Sequence, residues 1–358
     1  MSGYLISGIQ QIGVGVADLP AAFRWYRRAF GLDIPVFEEE GEAALMLPYT
    51  GGRPQARRAV LAINLQGGGG LEVWQYTGRR PQAPGFEVQP GDLGILAARI
   101  KAPDVRRAHE RFSRAGLAVL GPVQDDPGGE PTFFLKDLAG LLFQVVPGEG
   151  WFHRNGQATG GVGGAVLGVA ELDRALALYQ GVLGYDRVLY DRKGEFADLA
   201  ALPGGRQELR RVLLAHTEPR AGAFSPLLGP TRLELVQCLQ RSPRKIFAGR
   251  YWGDLGFIHL CFDASGLDEL KQRCREAGFP FTVDSADSTE SFLINESSGR
   301  FAYLEDPDGT LIEFVETYRL ALLKKLGWFL DLRRRPPGKP LSRWLLRALA
   351  LNRVRERA

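Results

Sequence analysis

The sequence predicts an α+β fold of two tandem domains, each made of paired βαβββ modules that form a curved open barrel. Three observations carry this: a repeat between the two halves, a second division inside each half, and strand and helix periodicities in a fixed order. Residues 91–97 (GDLGILA) return as 253–259 (GDLGFIH), and 71–75 (LEVWQ) return as 233–237 (LELVQ). Residues 133–145 (FFLKDLAGLLFQV) return as 302–314 (AYLEDPDGTLIEF), and 14–19 (VGVADL) as 167–172 (LGVAEL). The offset is about the same throughout, which is the mark of a duplication.

Each half opens with a strand and an amphipathic stretch that ends in glycine: AAFRWYRRAFG to Gly31 and RALALYQGVLG to Gly184. Several short strands follow. The pattern then runs again, with helices DVRRAHERFSRAG to Gly116 and GLDELKQRCREAG to Gly278. Glycine after the last turn is a common helix stop. The resulting boundaries are 1–148 for the first domain, 149–161 for a polar, Gly-rich linker, 162–318 for the second domain and 319–358 for a tail.

The 358 residues suffice for a sizeable core in each domain, and 45% hydrophobic with 24% charged residues is an ordinary globular balance. Three scattered cysteines exclude a disulfide framework or a thiolate zinc site and point to a reducing, cytoplasmic setting. The start has no signal-peptide pattern, and no apolar run is long enough to span a membrane. The tail carries +10 of the net +4, leaving the body at −6. A negative body speaks against nucleic acid as a partner.

A βαβββ unit makes a short curved sheet with its helix on one face, so two units leave a concave face open to a ligand. Period-two alternation says which side chains enter it. His259 shares a strand face with Phe257 and Cys261, Glu234 with Val236, and Glu313 with Leu311 and Val315. An imidazole or carboxylate among apolar neighbours is costly without a partner. One divalent metal would satisfy His259, Glu313 and Glu234, and that donor set suits Fe, Zn, Mn, Ni or Co. A hydrogen-bonded His or a solvent-facing Glu is the plainer reading of each residue alone.

The motifs GFIHLCFD around His259, YLEDPDGTLIEF through Glu313, and the two openings VGVADLPAAFRWYRRAFG and LGVAELDRALALYQGVLG resemble the vicinal oxygen chelate superfamily. That superfamily includes glyoxalase I, methylmalonyl-CoA epimerase, extradiol dioxygenases, and the fosfomycin and bleomycin resistance proteins. The resemblance covers residues 8–318. It implies ligands from the first, fourth, fifth and eighth strands of a paired-module cavity. Within the second half these positions are Gly164, Glu234, His259 and Glu313; a His or Gln is usual where Gly164 stands. Within the first half they are Gln11, Glu72, Ala97 and Gln144, which reads as a degenerate site.

On this basis the expected activity is that of a metalloenzyme on a small oxygen-bearing substrate (a carbonyl, enol or phenol). Glu234 present and a second His absent favour isomerase, epimerase or lyase chemistry through a metal-stabilised enediolate, with Glu234 and Glu313 as catalytic carboxylates. A non-haem Fe(II) dioxygenase is the alternative, and a non-catalytic binding or resistance protein the second. Arg300, Tyr303 and His216 are weaker substrate contacts; an exposed Arg with no such role and a strand-end His are the plainer readings. The final segment LSRWLLRALALNRVRERA forms an amphipathic helix. It either packs on the body or a homodimer partner, or lies on a membrane as a peripheral contact.

Overall fold

The computed structural model describes residues 3–287, 293–294, 297–323 and 327–354. Four βαβββ modules follow one another. The first holds β1 (Leu5–Gly15), α1 (Leu19–Phe30), β2 (Ile34–Glu42), β3 (Ala56–Ile63) and β4 (Gly70–Tyr76). The second holds β5 (Gly94–Ala102), α2 (Val105–Arg114), β6 (Ala118–Asp125), β7 (Pro131–Lys136) and β8 (Leu142–Pro147). The third holds β9 (Val162–Gly168), α3 (Leu172–Tyr179), β10 (Arg187–Gly194), β11 (Leu209–Ala215), a short α4 (Ser225–Leu228) and β12 (Arg232–Cys238). The fourth holds β13 (Gly256–Ser265), α5 (Leu267–Glu276), β14 (Val283–Asp284), β15 (Leu293–Ile294), β16 (Ser297–Glu305) and β17 (Leu311–Leu323). The tail adds β18 (Trp328–Asp331) and α6 (Arg343–Ala348).

Local chemistry sets the helix limits. Asp18 caps α1 by accepting from the amide of Ala21 at 2.9 Å, Pro20 sits in the first turn, and Gly31 closes the helix in the left-handed region at φ 63°. Asp104 caps α2 in the same way, accepting from the amide of Arg107 at 3.0 Å.

The α+β architecture of paired modules is as the sequence implies, but the modules pair across the halves. One sheet runs β14-β16-β17-β13-β1-β4-β3-β2, so it joins the first module to the fourth. The other runs β10-β11-β12-β9-β5-β8-β7-β6 and joins the second to the third. The seams are antiparallel, β1 against β13 and β5 against β9. Neither 1–148 nor 162–318 therefore closes a sheet on itself. The physical reason is that every module offers an equivalent open edge at its first strand. Residues 149–161 connect β8 to β9 inside the second sheet rather than spacing two domains; their Phe152 is buried.

One apolar core, with Tyr26, Phe30, Phe112, Phe143, Phe257 and Phe262, fills the helix side of both sheets. The concave faces carry clusters of their own. The tail is part of the body. Strand β18 pairs with β17, and Leu341, Leu346 and Leu349 bury against Ile34, Phe224 and Leu227. Arg343 stacks on Phe152 at 4.6 Å, and Arg353 pairs with Asp33 at 3.1 Å. The apolar side of the tail helix is thus spent on the body; Trp344 and Leu351 stay exposed. No described helix is long and apolar enough to cross a membrane.

Candidate metal centre

Four neighbouring strands of the first sheet bring the ligating side chains together. Gly13 of β1 stands opposite Glu72 of β4 on one side and His259 of β13 on the other, and Cys261 of β13 stands opposite Glu313 of β17. His259 Nε2 lies 3.2 Å from Glu72 Oε2 and 3.1 Å from Glu313 Oε2. One ligand atom from each residue falls within 4.8 Å of the others. Gln11 donates to Glu72 Oε2 at 3.2 Å, which brings a fourth side chain into the group.

Two irregularities in β1–β13 pairing make this possible. A register shift between Ile9 and Gln11 turns both Gln10 and Gln11 toward the concave cavity, while Ile9 and Ile12 enter the helix-side core. A second shift, at Gly13/Val14, separates His259 from Phe257. The expectation that those two share a face is corrected: Phe257 packs edge-on against Phe143 in the helix-side core.

Burial is what makes the group chemically telling. His259 is fully buried, and Glu72 and Glu313 are nearly so. Both ring nitrogens of His259, Glu313 Oε2 and Gln11 Oε1 have no hydrogen-bond partner among the described residues. The carboxylates approach the imidazole closely but off the axis of a hydrogen bond. Buried polar atoms are rarely left so. A divalent cation accepting one imidazole nitrogen, two carboxylate oxygens and an amide oxygen would satisfy them together, and that donor set fits Zn, Fe, Mn, Co or Ni.

Burial works against a charged His259, but the negative fields of Glu313 and then Glu72 outweigh it and push its pKa up to about 9. A proton and a cation therefore compete for one position. Because the proton must leave first, affinity for a divalent ion should rise about tenfold per pH unit up to about pH 9 and level off above. Chelator-competition titrations across that range check this. An affinity independent of pH would contradict it.

Gly13 is a site residue that the strand patterns did not single out. A Cβ there would lie 2.4 Å from His259 Cε1, so the imidazole rests on a bare backbone. Gly13→Val should keep the circular-dichroism spectrum and lose at least about tenfold in metal affinity through the displaced ligand. Unchanged affinity would show that the ring does not depend on this contact.

The site opens on a cavity of about 330 Å³ walled by Trp74, Trp252, Phe301 and Tyr303, with Glu39 and Arg57 at the polar side. Trp252 stacks on the His259 ring at 6.2 Å and 14°, and Tyr303 meets it edge-on at 5.6 Å. Arg57 pairs with Glu39 and lies over the Trp74 ring at 4.3 Å. The strand patterns did not single out Trp74, although it stands two residues beyond Glu72 on one strand face. Trp252 comes from a loop and carries no periodic signal.

Glu234 is not in this site, and its grouping with His259 and Glu313 is corrected. It lies on β12 in the second sheet, where its Oε1 accepts from Arg211 Nε at 2.6 Å and from the Tyr190 hydroxyl at 2.8 Å. Arg211 also holds Asp198 with two bonds of 2.7 and 2.8 Å. Burial raises the Glu234 carboxyl, but Arg211 and Arg99 overcome it and hold its pKa below the ordinary value. The second sheet is thus a buried ion-pair core. Gly164 cannot give way to a ligand there, since a Cβ would lie 1.8 Å from the carbonyl oxygen of Arg232. Gln144, on β8, belongs to the same sheet. Gln11 and Glu72, expected in a degenerate first-half site, stand instead beside His259 and Glu313.

Of the weaker candidates, Tyr303 lines the cavity. Arg300 does not; it is fully engaged by Asp284 at 2.9 and 2.7 Å and Asp268 at 2.7 Å. His216 lies just past the end of β11 in the second sheet, bonded to the Gly184 carbonyl at 2.6 Å and packed at a tilt against the Tyr185 ring at 4.0 Å. Burial lowers its pKa to about 4, so it is a neutral packing residue. His216 keeps its plainer reading as a strand-end residue, whereas Arg300 is neither a cavity contact nor an exposed side chain, being buried in its ion pairs.

Comparison with known proteins agrees with this fold. Among solved structures, glyoxalase I from Zea mays superposes with a TM-score of 0.52 at 14% identity, covering 86% of this chain and 92% of that one. A candidate dioxygenase from Bacillus subtilis gives 0.54 at 14% identity, covering 87% and 86%. Both likenesses speak for the fold. No curated protein matches the sequence significantly. The family model described as Glyoxalase/Bleomycin resistance protein/Dioxygenase superfamily matches twice, over residues 8–145 and 161–314. Modules of that kind fill most of the chain, and the protein belongs to this superfamily.

Proposed function

We propose that this protein is a metal-dependent enzyme that moves a proton beside a carbonyl or enol oxygen of a small substrate, as isomerases, epimerases and lyases do. One observation carries the reading. The first sheet supplies an amide, a carboxylate, an imidazole and a carboxylate (Gln11, Glu72, His259, Glu313) from the four strand positions at which the resemblance places ligands. Oxygenase iron favours two imidazoles and one carboxylate, and the second imidazole has no counterpart here. A divalent ion held by these side chains would polarise the substrate oxygen and stabilise negative charge developing on it.

The chain's own residues divide the remaining work. Glu72 is tied by Gln11, whereas Glu313 Oε2 has no donor among the described residues. Glu313 is therefore the carboxylate that takes the proton from carbon and returns it. The Tyr303 hydroxyl, whose pKa burial and then Glu313 raise well above the ordinary value, stays protonated and offers a neutral donor at the cavity wall. Trp74 and Trp252 keep water away from the carbanion-like charge.

The test is deuterium exchange from D₂O at the carbon next to the carbonyl of a panel of small 2-oxo and 2-hydroxycarbonyl compounds, with oxygen uptake followed in parallel. Wild type should catalyse exchange, and Glu313→Gln should lose about 10²–10⁴-fold in rate. Oxygen uptake matched to substrate loss, without exchange, would overturn the reading in favour of the dioxygenase.

A further inference from the structure

We propose that the substrate is amphipathic, with its oxygen-bearing head at Glu72, His259 and Glu313 and an aliphatic tail in a compartment that the C-terminal extension helps to close. This rests on the head-site reading above. Next to the metal-site cavity lies a second compartment of about 120 Å³, and the two share Gln10, Phe37 and Val315 as walls. Among the described residues, no ionisable side chain lines the second compartment. Its walls come from β2 and β3 (Val36, Leu61, Ile63), from α4 (Leu227, Leu228) and, at the far side, from Leu349 of the tail.

Strand β17 gives the path. Glu313, Val315 and Thr317 alternate onto one face, with Val315 at the junction and Thr317 in the apolar compartment. Four residues of strand span about 13 Å, so a chain of roughly eight to ten carbons reaches from the head site to Thr317. A cavity lined by hydrocarbon does not hold water well and gains from an apolar occupant. The family model ends at residue 314, so Val315, Thr317 and Leu349 lie beyond the shared modules. The extension is thus a specificity device outside the shared modules: it packs its apolar side on the body and finishes the wall of the tail compartment.

The experiment is calorimetric titration of the full-length, zinc-treated protein with straight-chain carboxylates from acetate to decanoate, zinc being counted on the same samples. Affinity should rise about fourfold per methylene once the chain passes Val315, then level off when the compartment is full. Val36→Phe and, independently, Thr317→Leu reduce the compartment and should bring the plateau forward to shorter chains. Zinc bound with affinity flat across the series, or a plateau unmoved in both variants, would overturn the proposal. A rising series with no zinc retained would support the tail compartment while overturning the metal reading of the head site.

Discussion

Arg211→Met should destabilise the protein by about 3–5 kcal/mol while leaving its metal content intact. Arg211 hydrogen-bonds both Glu234, at 2.6 Å, and Asp198, at 2.7 Å, and all three side chains are about 1% exposed. Removing one partner of a buried ion pair leaves an uncompensated charge, and losses of that size are typical. The sign of the pH dependence follows. Protonating the two orphaned carboxylates removes the penalty, so the gap to wild type should narrow as pH falls. Urea denaturation of both proteins at neutral and acidic pH checks this. A variant of undiminished stability that lost its metal would place this group in the metal site after all.

The second large effect concerns His259. His259→Ala removes the one imidazole of the group, and with it the nitrogen that both carboxylates approach. Bound metal should be lost, and kcat/KM for the exchange reaction should fall by at least about 10³. Stability should respond little by comparison, because the site is not part of the helix-side core. Retained turnover in a preparation shown to lack metal would refute metal dependence.

Much of the architecture was legible in the sequence. The internal echoes marked four modules, and glycines 31, 116 and 278 marked helix ends where the chain turns left-handed. What the repeat could not say is which module pairs with which. All four expose the same kind of edge, and the seam β1–β13 joins residues some 250 positions apart, a pairing with no local signature. Ligand inventory held the missing clue. The first module offers Gln11 and Glu72, and the fourth offers His259 and Glu313, whereas Ala97, Gln144 and Gly164 of the middle modules offer little. Only pairing the outer modules completes a set. Strict alternation fails where bulges intervene, at Gln10 and Ile258, which is why Phe257 faces the helix-side core while His259 faces the cavity. Close approach explains two glycines that sequence alone left ambiguous: Gly13 beneath His259, and Gly164 against the Arg232 carbonyl. The tail's amphipathic pattern was plain, but what its apolar side would cover depended on the surface left by Ile34, Phe224 and Leu227.

Assembly of the metal centre from both ends of the chain is tested most directly by elemental analysis of three proteins side by side. After reconstitution, wild type and Glu234→Gln should each hold about one divalent ion per chain, and Glu72→Gln should hold almost none. Metal lost in Glu234→Gln but kept in Glu72→Gln, or no metal in wild type, would contradict the account.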